Sequence, residues 1–71
     1  MEIGKKIREL RMRKGLTQEE LANRSELSKG FISQLENDVT SPSIATLVDV
    51  LTCLGTDLKT FFGEEQDNQI V

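Results

Sequence analysis

The sequence predicts an all-α domain of five short helices. Apolar residues recur at helical spacings in several segments, whereas no segment alternates apolar and polar residues as a strand does. Hydroxyl or acidic residues precede most of these segments and glycines follow two of them, as at the ends of helices. With 71 residues, the chain is long enough for one small domain.

The first two helices have clear start and stop signals. Helix 1 is predicted over about residues 2–14, where apolar residues recur every three or four positions, and Gly15 is expected to end it. Helix 2 begins at Thr17, because Thr17 and Glu20 have the spacing of a capping box. Helix 2 is short and is expected to end near Arg24.

Helix 3 follows helix 2 after residues 25–27 only. Ser28 is a favourable N-cap, and the helix is predicted to run to Glu36 or Asn37. Two short helices joined by so tight a turn form a helix-turn-helix. Because such helices cross steeply, their contact needs a small side chain, which Ala22 supplies.

Two further helices are predicted after a loop. Ser43 caps helix 4, which has the strongest apolar periodicity in the chain and ends at Gly55. Its apolar stripe consists of Ile44, Leu47, Val48, Leu51 and Leu54. Asp57 caps a last short helix, in which Phe61 and Phe62 are core residues or dimer contacts.

The predicted domain spans residues 1–63, and residues 64–71 form a polar, acidic tail or linker. A domain of this size buries only about 60% of its unfolded surface, so dimerisation would help to stabilise it. The predicted core consists of Ile3, Ile7, Leu10, Leu16, Leu21, Ala22, Leu27, Ile32, Leu35, Leu47, Val48, Leu51, Leu54 and Leu58.

The outward face of helix 3 is the candidate functional surface. If Ile32 and Leu35 are buried, the opposite face presents small and hydrogen-bonding residues with few acids. Such a face suits the major groove of DNA, where base edges offer donors and acceptors. Helix 2 would then cross the backbone with its N-terminus aimed at a phosphate. The residues on this face are Lys29, Gly30, Ser33 and Gln34, with Phe31 and Asn37 near its edges.

Composition narrows the functions further. The net charge is -3, yet residues 1–63 carry nine acids and nine bases, and six bases fall within the first 14 residues. The absence of histidine removes the commonest catalytic base and metal ligand, and a single cysteine excludes a CxxC pair, so we expect no metal site and no cofactor. Cys53 is interpreted as a buried or half-buried structural thiol, which fits a reduced, cytoplasmic setting. No apolar run is long enough to span a membrane.

Two segments carry a family resemblance. The stretches LTQEELA (residues 16–22) and LSKGFISQLEN (residues 27–37) resemble the Xre/Cro-type helix-turn-helix of phage and bacterial repressors. The resemblance extends over residues 1–63 and implies a five-helix, phage-repressor-like DNA-binding fold. One departure is Glu26, where the family often has glycine. If that position requires a positive φ, a non-glycine residue costs about 1 kcal/mol.

The resemblance also implies roles for the matched positions. Those that read bases are Lys29, Gly30, Ser33 and Gln34. Those that contact the DNA backbone are Thr17, Gln18, Ser28, Asn37, Thr40 and Ser41. Arg11 and Glu36 match a partly buried salt bridge between helix 1 and the end of helix 3. The remaining bases of helix 1 are general candidates for phosphate contact: Lys5, Lys6, Arg8, Arg13 and Lys14. Phe31 either meets a thymine methyl in the groove or packs on helix 2 as a core residue, and packing is the favoured interpretation.

The predicted function is sequence-specific binding of double-stranded DNA by a transcriptional regulator, a repressor acting as a homodimer on a pseudo-palindromic operator. Its recognition helices would lie about 34 Å apart. One alternative is an antitoxin-like protein-binding module with secondary DNA binding; another, an enzyme, lacks candidate catalytic groups. Residues 56–71 also resemble the junction to a sensory domain in longer, ligand-responsive regulators, with Ile70 and Val71 starting a strand.

Overall fold

Short connections join five α-helices in the computed structural model, which describes residues 3–67, with side chains described for residues 3–63. The helices are α1 (Ile3–Arg13), α2 (Gln18–Arg24), α3 (Lys29–Glu36), α4 (Ile44–Cys53) and α5 (Leu58–Asp67). The all-α prediction is confirmed. The predicted start of helix 1 near residue 2 and the predicted strand at Ile70 lie outside the described residues.

Side chains cap the N-termini of α2 to α5. Thr17, Ser28 and Ser43 each accept a hydrogen bond from a backbone N–H in the first turn of the helix that follows, at 3.0 to 3.1 Å. Asp57 does the same for α5 through Oδ1, at 2.7 Å from the Thr60 nitrogen. Because these donors have no partner within the helix, the caps fix where each helix begins.

Four helices end in the same backbone turn. The residue after each C-cap is left-handed, with φ of 71° at Gly15, 58° at Glu26, 58° at Asp38 and 78° at Gly55. The N–H of the next residue then donates to the carbonyl five positions earlier, at 2.8 to 3.1 Å. This is the Schellman arrangement. The expected strain at Glu26 is therefore present, and Asp38 shares it.

The core lies between the helices and differs from the predicted core on α4. Ile44 and Val48 are 66% and 39% exposed, so the prediction that Val48 is a core residue is wrong. Val50, absent from the predicted stripe, is fully buried because α4 packs against both α2 and α5. The buried apolar residues are Ile7, Leu16, Leu21, Ala22, Ile32, Leu35, Leu47, Val50, Leu51, Leu54 and Phe61. Partly buried residues on this core include Ile3, Leu10, Leu27, Phe31, Leu58 and Phe62.

The last helix is longer than predicted. α5 continues through Gly63 to Asp67, so part of the expected tail is helical. A glycine inside a helix costs only about 1 kcal/mol, and the Glu-Glu-Gln that follows it favours a helix. Within residues 3–67, no helix has both the length and the apolar character needed to cross a bilayer.

The arrangement of the helices leaves one side of α3 free. α3 packs mainly against α2 and also against α1, whereas α4 contacts α2 and α5. Ile32, Leu35 and Glu36 form the buried side of α3. The other side of α3 therefore faces outward.

Candidate nucleic-acid interface

A tight and well-bonded turn joins α2 to α3. The buried Ser25 hydroxyl donates to the Leu21 carbonyl oxygen at 2.6 Å, and the Leu27 N–H donates to the Ala22 carbonyl oxygen at 2.8 Å. Ala22 is buried in the contact between the two helices, as predicted from its size. Since every turn residue is held by the end of α2, the two helices have a fixed relative orientation.

The outward face of α3 consists of the residues predicted to read bases. Lys29, Gly30 and Gln34 are exposed and Ser33 is half-buried, while Phe31 packs partly against the core. A Cβ added at Gly30 would meet no other atom within 4 Å, so this part of the face is open. The structure brings the four residues together on one accessible helix face.

Two residues predicted to contact the DNA backbone are also N-caps. The Thr17 hydroxyl accepts from the Glu20 N–H, and the Ser28 hydroxyl accepts from the Phe31 N–H. A hydroxyl that accepts one hydrogen bond still has its own proton to donate. Ser28 is exposed, so its proton is available to a phosphate oxygen, whereas the Thr17 hydroxyl also bonds to the Glu20 carboxylate.

The capping box at α2 also affects an acid. The Glu20 carboxylate accepts a hydrogen bond from the Thr17 backbone N–H at 2.8 Å. This bond, with a further one involving the Thr17 side chain, holds the pKa of Glu20 below its usual value. The Glu20 carboxylate is therefore charged, and it satisfies the Thr17 N–H, one of the backbone donors at the start of α2.

A three-residue polar cluster joins α1, α2 and α3. Arg11 and Glu36 form an ion pair, with 2.6 Å between Nε and Oε2 and 3.2 Å between Nη2 and Oε1. Their side chains are only 12% and 2% exposed. Gln18 donates from Nε2 to Glu36 Oε1 at 3.1 Å, and Arg11 also donates to the Leu16 carbonyl oxygen. The pair implied by the resemblance is present, and Gln18 is held as its third member.

The loop after α3 carries the other residues predicted to contact the DNA backbone. Asn37 and Ser41 are exposed and Thr40 is half-buried. The Asn37 amide donates to the Ser33 carbonyl oxygen at 2.8 Å, which ties it to the last turn of α3. These residues therefore lie in the segment that directly follows the C-terminus of α3.

The bases of helix 1 divide between exposed residues and the half-buried Lys6. Lys5, Arg8 and Arg13 are exposed, whereas the Lys6 ammonium lies 4.7 Å from the centre of the Phe61 ring. Lys6 also donates to the Phe61 carbonyl oxygen. Because this lysine holds α5 against α1, it is less available to a phosphate than its exposed neighbours.

Sequence reasoning missed one contact beside this surface. The Gly4 N–H, in the first turn of α1, donates to Asp38 Oδ1 at 3.1 Å. Two signals could have found it: a glycine inside a predicted helix, and an Asn-Asp pair at a helix end, where a left-handed residue is tolerated.

Cys53 and the phenylalanines of α5 take structural positions. The Cys53 thiol is half-buried and donates to the Arg24 carbonyl oxygen at 3.3 Å, in agreement with a packing role. Phe61 is buried, and Phe62 is half-buried with its ring edge-on to Phe61, 5.1 Å between centres. Phe61 is thus a core residue that the predicted core left out.

Comparison with known proteins supports this architecture. A family model described as helix-turn-helix matches residues 7–61. The immunity repressor protein of Bacillus phage phi105 is 35% identical over 65 residues, which cover 92% of this chain and 45% of that protein. The HTH-type transcriptional regulator PuuR of Escherichia coli K12 is 40% identical over 63 residues, covering 89% of this chain and 34% of that protein. The chain thus spans less than half the length of these two curated relatives.

Solved structures agree with the sequence relatives. The restriction-modification controller protein C.Esp1396I superposes with a TM-score of 0.81 at 30% identity, covering 89% of this chain and 82% of that one. The clp gene regulator ClgR from Corynebacterium glutamicum gives a TM-score of 0.84 at 32% identity, covering 93% of this chain and 70% of that one. The chain therefore belongs to the helix-turn-helix family of DNA-binding transcriptional regulators, of the phage-repressor type.

Proposed function

We propose that the chain recognises a specific operator by inserting α3 into the major groove of double-stranded DNA. The observation that carries this proposal is the accessible face of Lys29, Gly30, Ser33 and Gln34 on a helix held rigidly by α1 and α2. Lysine most often pairs with guanine, and serine bonds to several bases. The open space at Gly30 lets the helix approach the base edges closely.

Backbone contacts come from both sides of α3 in this proposal. Thr17 and Gln18 at the start of α2, with Ser28, would bind phosphates on one side of the groove. Asn37, Thr40 and Ser41 would bind phosphates beyond the other end of α3. Such contacts set the register of the protein on DNA and carry no sequence information themselves.

Selection of duplexes from a random pool tests the proposal. The unmodified chain is expected to select a defined sequence, and the double variant Lys29→Ala with Ser33→Ala a different or weaker one. Loss of one base contact costs about 1 to 3 kcal/mol of discrimination. Lys59→Ala, which removes the same charge from an exposed site on α5, is the matched control and should keep the original preference.

The result that would refute base recognition by α3 is an unchanged selected sequence in the double variant. A uniform loss of affinity for all duplexes would also refute it and assign the two side chains to phosphate binding, since that term does not depend on sequence.

Action as a dimer on a pseudo-palindrome completes the proposal. The exposed apolar side chains Ile44 and Val48 give this small domain surface that pairing would cover. Two recognition helices then read half-sites about 34 Å apart. The spacing of half-sites in the selected duplexes and the mass of the DNA complex in sedimentation measure this directly.

Repression is the proposed outcome of operator binding. The relative from phage phi105 is named an immunity repressor, and a relative from Acinetobacter baylyi is named a competence pilus inhibition repressor. Operator binding also requires the protein to share a compartment with DNA, which in a bacterium is the cytoplasm. We place the DNA-binding unit at residues 1–63, supported by the end of the family match at residue 61. A reporter under the selected operator should fall in output when the chain is expressed.

A further inference from the structure

The first turn of α1 lies directly on the C-terminal end of α3. Gly4 is buried there, and a Cβ at this position would lie 2.4 Å from the Leu35 carbonyl oxygen and 2.7 Å from that of Glu36. These oxygens belong to the backbone and cannot swing aside as a flexible side chain would. Only glycine therefore allows α1 to approach the last carbonyls of α3 this closely.

Asp38 adds a hydrogen bond to this contact. It is the left-handed residue that follows α3, and its Oδ1 accepts the Gly4 N–H at 3.1 Å. The first N–H groups of a helix lack partners within the helix, and a negative charge near them is favourable. No residue in the first turn of α1 itself is acidic, so within the described chain Asp38 supplies that charge.

We propose that Asp38 is a positioning residue for DNA binding, which holds the loop of residues 37–41 against α1 so that it meets the DNA backbone in a fixed orientation. This inference rests on the proposed function. The loop is anchored to α3 through the Val39 N–H on the Gln34 carbonyl oxygen, at 2.9 Å. The Asp38 bond to Gly4 adds a second anchor, on a different helix.

Because Asp38 is charged, the direction in which a substitution changes the affinity for DNA tests the inference. An exposed acid next to a phosphate-binding loop repels DNA, so removal of a carboxylate with no other role raises the affinity. Removal of the hydrogen-bond acceptor from a positioning residue lowers the affinity despite the lost repulsion. The two roles therefore predict opposite changes for the same substitution.

Two variants with equal charge separate these roles. Asp38→Asn keeps an oxygen that can accept the Gly4 N–H and tolerates the left-handed backbone, whereas Asp38→Gly keeps the backbone and loses the acceptor. We expect Asp38→Gly to bind the selected duplex about fivefold more weakly than the unmodified chain, the effect of one lost fixing hydrogen bond. Asp38→Asn should bind at least as tightly as the unmodified chain. Equal affinities of the two variants would overturn the inference.

Titration at protein concentrations far above Kd separates positioning from a loss of stability. A displaced loop weakens the affinity of a fully active protein, so Asp38→Gly should still saturate the duplex at the stoichiometry of the unmodified chain. The loop contains no Lys or Arg, so its phosphate contacts are neutral hydrogen bonds, and Asp38→Gly and Asp38→Asn should have the same salt dependence. A smaller active fraction with an unchanged affinity of the active protein would refute the positioning role.

Hydrogen exchange of the free protein tests the contact without DNA. The Gly4 amide should exchange faster in Asp38→Gly than in the unmodified chain or in Asp38→Asn. The same rate in all three would overturn the inference even if operator binding stands. If the unmodified chain selects no duplex, the proposed function fails and this inference falls with it.

Discussion

Two of the helix ends carry glycine and two carry an acid, although all four have the same left-handed backbone. Gly15 and Gly55 end α1 and α4, where no L side chain has to be accommodated. Glu26 and Asp38 end α2 and α3, and there the same conformation costs about 1 kcal/mol or more. The strained ends are thus the two that flank α3, the proposed recognition helix.

The two acidic ends also differ from each other. Both side chains are exposed, but the Asp38 carboxylate accepts the Gly4 N–H, whereas the Glu26 side chain has no hydrogen bond within residues 3–63. Strain that persists at a residue is expected where the surroundings or the function require that residue. The comparison teaches that Asp38 compensates its strain through a tertiary contact and that Glu26 does not.

The largest expected effect concerns the close approach at the α3 end. Gly4→Ala should lower the free energy of unfolding by about 2 to 3 kcal/mol, because the new methyl group overlaps two backbone oxygens. Gly63→Ala is the matched control, since a Cβ at that helical position meets nothing within 4 Å. Urea unfolding monitored by circular dichroism measures both. Equal stabilities of the two variants would show that α1 and α3 are not in this contact.

The next effect tests the glycine ends. Gly15→Ala should lower the free energy of unfolding by about 1 to 2 kcal/mol, the cost of a left-handed L residue. No atom lies within 4 Å of the added Cβ, so the cost is conformational only. Chemical denaturation measures it, and Gly55→Ala provides a second case in which the flexible end of Lys14 has to move as well. An unchanged stability of Gly15→Ala would contradict the assigned backbone.

A smaller effect of opposite sign separates the acidic ends. Glu26→Gly should raise the free energy of unfolding by about 0.5 to 1 kcal/mol, the relieved strain less the greater freedom of glycine in the unfolded chain. The change in the free energy of unfolding should be about 1 kcal/mol less favourable for Asp38→Gly than for Glu26→Gly, because Asp38→Gly also loses the hydrogen bond from the Gly4 N–H. The two are compared in one denaturation series. Equal gains would remove the distinction between the two ends.

The smallest expected effect is a dependence of stability on pH that comes from the acids at the N-termini of α2 and α5. The capping hydrogen bonds hold the pKa values of Glu20 and Asp57 below their usual 4.5 and 3.8. A group with a lowered pKa contributes stability that is complete above its usual pKa and is lost as the pH falls through the folded value. Stability should therefore start to decline near pH 4.5 and fall further below pH 3.8. In Glu20→Gln and Asp57→Asn, thermal unfolding should show a weaker acid dependence, and an identical dependence would exclude these caps as its source.

Local signals in the sequence predicted most of the fold. The caps Thr17, Ser28 and Ser43 act over three residues, so their spacing alone determines where the helices begin. The glycines at helix ends are also local signals, because they act within the last turn of the helix. The outward face of α3 followed from the burial of Ile32 and Leu35, which the structure also shows.

Contacts between distant segments could not be predicted in the same way. On α4, both Val48 and Val50 fit a helical apolar stripe, and the positions of α2 and α5 decide which one is buried. The contact of Gly4 with Asp38 joins residues 34 positions apart. The partner Glu36 of Arg11 was found through the family resemblance, but Gln18 as their third member depends on how α2 lies against α3.

The shared carboxylate of Glu36 has a mechanical consequence. A movement of α1 or α2 relative to α3 would break a hydrogen bond to the Glu36 carboxylate, which is almost completely buried. A buried charge without partners is costly, so such movements are unfavourable. The three helices therefore meet a ligand as one inflexible body. Adjustment at the interface falls to long exposed side chains such as Lys29 and to the duplex itself. In the proposed dimeric mode of binding, operators with easily bent steps between their half-sites should for that reason be favoured, even at base pairs that no side chain touches.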